Sequence, residues 1–293
     1  MQARVTLHND LRLDLGEGPV WDAGRDRLWW VDSEAGSVFR GRLEGDVLEI
    51  EERLDLGEKV GSVAPASDGG LLVAGEHHVH VIDAHGERSA AIRVIPDGQR
   101  SRLNDGTVDP AGRFLVGSIR LDDRQGCEKV WSIETDRSVR EVIDGVTVSN
   151  GIGFSPAGDT LFHVETRPGT IRAFDYDLAS GRASRERVML ACGGTPDGLA
   201  VDAVGNLWVA FFGEGQVRCL TPAGEVIDVI DVAAPNVTCP EFAGPGLRSL
   251  VITTARFRMD ESGLRRWPMA GAVFVADLEV PGLPPRPWAG STD

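Results

Sequence analysis

Apolar positions in this chain come in short runs of about four residues, each entered through a turn rich in Gly, Asp or Pro. Six turns open at Asp22 (DAGRDRLWWVD), Ala66 (ASDGGLLVA), Asp109 (DPAGRFLVG), Ser155 (SPAGDTLFHVE), Asp202 (DAVGNLWVA) and, more loosely, Phe242 (FAGPGLRSLVITT). A second short strand follows in several units. Residues 38–40 come after a Gly-Ser turn, residues 170–174 after Pro168-Gly169, and residues 216–220 after the run LWVA at 207–210. Regularly spaced short strands bounded by turn residues are the pattern of an all-β fold. No stretch holds a helical period over ten or more residues.

Successive turn openings lie 40 to 47 residues apart, the spacing of four-stranded propeller blades. Six such units predict an all-β, six-bladed β-propeller whose blades pack around a central channel. The expected blades span about 14–58, 59–101, 102–147, 148–194, 195–234 and 235–280 of a single domain. A strand from residues 4–7 or 11–15 is expected to close the last blade and cover its edge. The Pro-rich segment from Pro281 (PGLPPRPWAGSTD) is expected to lie over the surface without regular structure. The adjacent Trp29 and Trp30 alternate faces, which sends one of them between blades.

The repeat carries a chemical signal. Counting back five residues from the first, third, fourth and fifth turns gives Glu17, Asn104, Asn150 and Asp197. Gly61 holds this slot in the second unit, and Val237 or Thr238 comes nearest in the sixth. Equivalent positions of a repeat occupy equivalent places, so four oxygen-bearing side chains should converge on the channel. Asn and Asp before Gly are also plain turn formers, but Glu17 has no such role. Oxygen donors without His or Cys suit a hard divalent cation, giving a central metal site.

Composition narrows the function. The formal charge of −15 and the pI near 4.8 argue against a nucleic-acid partner and against an anionic membrane surface. The first residues show no apolar secretory segment and no run is long enough to cross a bilayer, which points to the cytoplasm. Cys127, Cys192, Cys219 and Cys239 are widely spaced with no CxxC pair, as expected of reduced thiols in that compartment. His77, His78 and His80 cluster on one hairpin with no third metal ligand in view, and Arg265-Arg266-Trp267 reads as a loop or packing element.

Five segments carry a resemblance. LGEGPVWD (15–22), RLNDGTVDPAGRFLVGS (102–118), SNGIGFSPAGDTLF (149–162), TPDGLAVDAVGNLWVA (195–210), and NVTCPEFAG (236–244) with the later ITTAR (252–256) occur in one order across nearly the whole chain. In these the sequence resembles the SMP-30/gluconolactonase/regucalcin-like family. The resemblance implies a six-bladed propeller with one divalent cation in its channel (Ca²⁺, Zn²⁺, Mn²⁺, Mg²⁺ or, in some members, Fe²⁺) and hydrolysis of sugar-acid lactones. Carried over by position, it implies Glu17, Asn150 and Asp197 as metal ligands, Asn104 as a polar residue near metal and substrate, and Arg102 as a substrate-binding arginine. Asp197 is the candidate general base, since a carboxylate at the metal's edge can take a proton from water.

The chain departs from the family pattern beside this ring. Leu115 replaces an aromatic, Ser118-Ile119-Arg120 replaces a Thr-Met run, and His163-Val164-Glu165-Thr166 stands where an Asp-Ser pair is common. Arg120 and Glu165 are therefore open candidates for substrate contact. Two further readings compete with a sugar lactonase: an esterase or phosphotriesterase on non-sugar substrates, and a non-catalytic Ca²⁺-binding scaffold.

Overall fold

The computed structural model describes residues 4–5, 11–44, 47–191 and 194–293. Thr6 and Leu7 of the expected closing strand, and Cys192, lie outside them. Six four-stranded antiparallel sheets are arranged as the blades of a propeller. Blade one runs Gly16–Asp22, Arg27–Asp32, Ser37–Glu44 and Val47–Asp55, each strand pairing with the next. Blades two to five repeat this order from first strands Val63–Pro65, Ser101–Val108, Ser149–Phe154 and Pro196–Val201.

Blade six is built from both ends of the chain. Its strands Val237–Ala243, Ser249–Thr254 and Phe274–Asp277 are completed on the outside by Arg4–Val5, with Arg4 opposite Val275 and Val5 opposite Phe274. Between its second and third members sits one short helix, Glu261–Arg266, capped by Asp260, whose side chain accepts from Gly263 N. Arg265 and Arg266 stand in its last turn, where their charge complements the helix dipole.

The first strand of every blade touches the first strands of both neighbours, so these six form the innermost ring. Their residues are mostly buried; Ser149–Phe154 and Pro196–Val201 are buried throughout. The fourth strands carry the polar, exposed positions, as in Val226–Asp231. Apolar clusters fill the spaces between blades. Trp29 packs with Val60, Val63 and Leu71 of blade two, whereas Trp30 packs with Val251 and Val275 of blade six and stacks on Phe39 at 5.4 Å. Alternation along one strand thus sends both tryptophans between blades, one to each side, where one was expected.

The turns joining first and second strands owe their shape to their opening residues. Asp109 Oδ1 accepts from Ala111 N and Arg113 N, and Asp202 Oδ1 accepts from Val204 N and Asn206 N, the local turn chemistry of aspartate. Residues 281–293 then cross this turn-bearing face without regular structure, but they are anchored at several points. Leu283 N donates to Val201 O, Trp288 N to Pro65 O and Ala289 N to Gly112 O. Thr292 donates to Asp68 through both its backbone nitrogen (2.6 Å) and its hydroxyl (3.0 Å). Trp288 is fully buried among Ala64, Ala66, Leu72 and Phe114. The segment is a strap rather than a loose tail.

Candidate active site in the channel

Five innermost strands lose register at the same place. Pairing with the second strand is interrupted between Glu17 and Val20, Leu103 and Gly106, Ser149 and Ile152, Pro196 and Leu199, and Val237 and Pro240. A bulge of this kind re-aims side chains that strict alternation would bury in the blade. Asn104, Asn150 and Asp197 lie within these bulges and Glu17 at the edge of one. Blade six has its bulge at Thr238-Cys239, but Val237 is buried in the apolar cluster against blade five, and the Thr238 hydroxyl donates to Gly16 O at 2.6 Å.

Blade two contributes space. A β-carbon at Gly61 would sit 2.7 Å from Asn104 Cα, closer than side chains approach backbone, so only glycine there lets the third blade's asparagine reach inward. The same holds across the ring at Gly198, where an added β-carbon would lie 2.7 Å from Cys239 Cα.

The slot residues meet. Asn104 Nδ2 donates to Asn150 Oδ1 at 2.8 Å and to Ser149 O at 2.9 Å. Asn150 Nδ2 donates to Thr166 Oγ1 at 2.7 Å, and that hydroxyl donates to Pro196 O, also at 2.7 Å, beside Asp197. Burial pushes the Glu17 carboxyl well above its ordinary value, and the charges of Asp197 and Asp105 push it further, while Arg102 opposes them. Asp197 is likewise driven well up, by burial and by Asp105. Arg102 is buried; its Nη1 donates to Leu103 O at 2.9 Å, and burial lowers its pKa against the pull of Glu34, Glu17 and Glu76.

Three members of the channel are not apparent from the repeat. Asp105 follows a slot residue, and simple alternation would turn it away; the bulge turns it in. Burial raises its pKa to about 6. Glu241 is raised to about 8 by burial and then by Asp105, and the Cys239 thiol is raised by burial and by four surrounding carboxyls, Asp105 first among them. These three line a cavity of about 200 Å³ bordered by residues 283–286 of the strap. Repetition could not have flagged them, because Asp105 and Glu241 occupy no shared slot.

Arg120 and Glu165 are already committed. Arg120 forms a two-pronged pair with Asp122 (2.7 and 2.8 Å) and also reaches Glu128 and Ser101. Glu165 is 4% exposed; it accepts from Thr147 N and Val148 N and faces Arg172 at 3.7 Å. Both brace the strands that enter the channel. Nearby, Ser149 Oγ and His163 Nε2 lie 2.8 Å apart, a spacing seen in serine hydrolases. Here, however, Arg172 Nη2 donates to His163 Nδ1 at 3.0 Å. The ring proton therefore sits on Nε2 and points at the serine, the reverse of nucleophile activation. Burial, then Arg172, holds His163 well below its ordinary pKa, and both Ser149 and His163 are fully buried.

The blade-two histidines are engaged locally, His80 Nε2 with Glu58 Oε1 at 2.7 Å and His77 Nε2 with Ser101 O at 3.0 Å. Cys127, Cys219 and Cys239 are free thiols. Among the described residues no helix is long and apolar enough to cross a membrane.

The channel donors fit a hard cation. Burial raises the pKa of both Glu17 and Asp197; the charges of Asp197 and Asp105 raise Glu17 further, and that of Asp105 raises Asp197 further. Among the described residues no hydrogen bond offsets the burial of Asp197. Asn150, on the neighbouring blade four, adds an amide oxygen beside blade five. Such a set is costly when charged and uncompensated, and a divalent ion would remove that cost. Among the described residues no group of three or more His, Cys, Asp or Glu forms a metal cluster, so this donor set depends on the amide.

Residues 15–256 match the SMP-30/Gluconolactonase/LRE-like region. The chain is 33% identical over 282 residues to 6-deoxy-6-sulfogluconolactonase of Pseudomonas putida, covering 94% of this chain and 95% of that one. It is 31% identical over 284 residues to regucalcin of Danio rerio, with 94% and 95% covered. Among solved structures, the calcium-binding protein regucalcin of Agrobacterium tumefaciens superposes with a TM-score of 0.90 at 25% identity, over 98% of this chain and 97% of that one. With five shared bulges, a polar ring at their level and this match across most of its length, the chain belongs to the SMP-30/gluconolactonase/LRE-like family.

Proposed function

We propose that the protein hydrolyses a sugar-acid lactone, an aldonolactone such as gluconolactone or a pentonolactone, to the free aldonic acid. In this reading one divalent cation (Ca²⁺, Zn²⁺, Mn²⁺, Mg²⁺ or Fe²⁺) is held by Glu17, Asn150 and Asp197. The observation that carries it is the convergence of oxygen donors from separate blades into one channel, with two of the carboxyls strained by burial and by neighbouring carboxyl charge. The relatives' names support it, since one is a sulfogluconolactonase and another a calcium-binding protein.

When bound, the cation would polarise the lactone carbonyl and acidify water. The chain's own groups supply the rest. Asp197 takes the proton from the attacking water as the new C–O bond forms. The ring C–O bond breaks, and a proton returns to the ring oxygen as it leaves as a hydroxyl. Without a counter-charge, burial favours the protonated form of Asp197, so its work as a base requires the cation's field. Arg102, fixed through Leu103 O, offers its remaining N–H groups to the sugar hydroxyls or the carbonyl oxygen, and Asn104 is placed beside them.

The test is the initial rate of acid release from a panel of aldonolactones, with spontaneous opening subtracted and each cation restored to metal-stripped protein. Cation-dependent turnover of one sugar lactone is expected. Folded protein with no rate above background under any ion overturns the reading and leaves a non-sugar ester, phosphotriester or binding role.

A further inference from the structure

We infer that Thr166 is a positioning residue that orients the Asn150 amide, an inference that rests on the reading of Asn150 as a cation ligand. The argument is a count of protons. The Thr166 hydroxyl has one hydrogen, and that hydrogen is committed to Pro196 O at 2.7 Å, because a carbonyl can only accept. Thr166 Oγ1 therefore has only lone pairs to offer the side chain on its other side. The partner 2.7 Å away must be the NH₂ end of Asn150.

With Nδ2 turned toward blade four's own wall, Oδ1 is turned toward the channel. There it accepts one hydrogen bond, from Asn104 Nδ2 at 2.8 Å, and keeps a second lone pair for a ligand. A flipped amide would present N–H groups to the channel, which repel a cation. It would also set Nδ2 against Nδ2 at Asn104. Pro196 immediately precedes Asp197, so the same hydroxyl ties the Asn150 amide to the backbone that carries the next blade's carboxylate. Thr166 touches neither substrate nor cation in this scheme; it acts through Asn150 and the blade-five strand.

The prediction separates the hydroxyl from the bulk of the side chain. Thr166→Val keeps the shape and removes both hydrogen bonds, leaving the amide free to flip. Thr166→Ser keeps both bonds. Ca²⁺ titrated calorimetrically into metal-stripped full-length protein is expected to bind the valine variant roughly tenfold or more weakly than the parent, as for other groups that orient ligands. The serine variant should bind within about twofold of the parent. Thr166→Ala serves in place of valine should the valine protein not fold.

Equal affinity of parent and valine variant overturns the inference and leaves the metal site standing. Serine as weak as valine also overturns it, since packing rather than the hydroxyl would then be responsible. A parent that binds none of Ca²⁺, Zn²⁺, Mn²⁺, Mg²⁺ or Fe²⁺ overturns the underlying reading of Asn150, and this inference with it.

Discussion

In the proposed reaction Asp197 is asked to do two things, to hold a cation and to accept a proton, and burial opposes both by favouring the neutral acid. Asp197→Ala should therefore abolish turnover, lowering kcat by two to four orders of magnitude, whereas Arg102→Ala should mainly raise KM; steady-state kinetics on the preferred lactone checks both. The raised carboxyls also set a pH dependence. Asp105 moves from an ordinary 3.8 to about 6, so it favours the folded, metal-free protein below the lower value and loses that contribution as pH rises through the upper one. Glu17 and Asp197 act in the same direction. A cation bound as proposed would compete with these protons. The gap in melting temperature between metal-loaded and metal-stripped protein should widen from pH 5 to pH 8, with protons released on metal uptake. At this scale the slot residues were legible by counting, because a repeat reports equivalent positions. Asp105, Glu241 and Thr166 were not, since each matters through a neighbour in space: a bulge, a buried charge, a hydroxyl whose one proton is already used.

The bulge is the element that turns a repeated strand into a site. Without it strict alternation would turn sequence neighbours such as Asn104 and Asp105 to opposite faces of the strand. The sequence signals of these elements are the Asn-Gly and Asp-Gly pairs, which read equally well as turns; only the pairing register distinguishes the two. Gly61 supplies a test. Gly61→Ala should push the Asn104 backbone outward, costing about 1–3 kcal/mol of stability for the overpacking and weakening cation binding as Asn104 leaves Asn150. Urea unfolding and calorimetry would report the two effects separately. Arg120 and Glu165 show the opposite limit of sequence reading. Their charge and place made them candidates for substrate, but each is held by partners that no spacing rule could reveal.

For the whole molecule, the ring and its blade count were legible because each blade repeats the same order of turn and strand. The strap was legible only as proline-rich sequence. Its anchoring depends on Trp288 entering the core between blades two and three, a contact between residues more than 150 positions apart. Trp288→Ala should cost about 3–5 kcal/mol, typical of a large aromatic lost from a packed core, and hydrogen exchange should quicken in the second strands of those two blades. Such a test separates a strap that locks the ring from one that merely rests on it.

The strap also follows every blade in chain order. On the ribosome, all six blades emerge before residues 282–293, and the first blades wait longest for the indole that fills the gap between the second and third. Until then the seam carries an open apolar slot, and the nascent propeller has its greatest exposure to chaperones and proteases. A nonsense mutation just before Pro281 would leave all six blades and the polar ring intact while holding the protein in that unlocked condition.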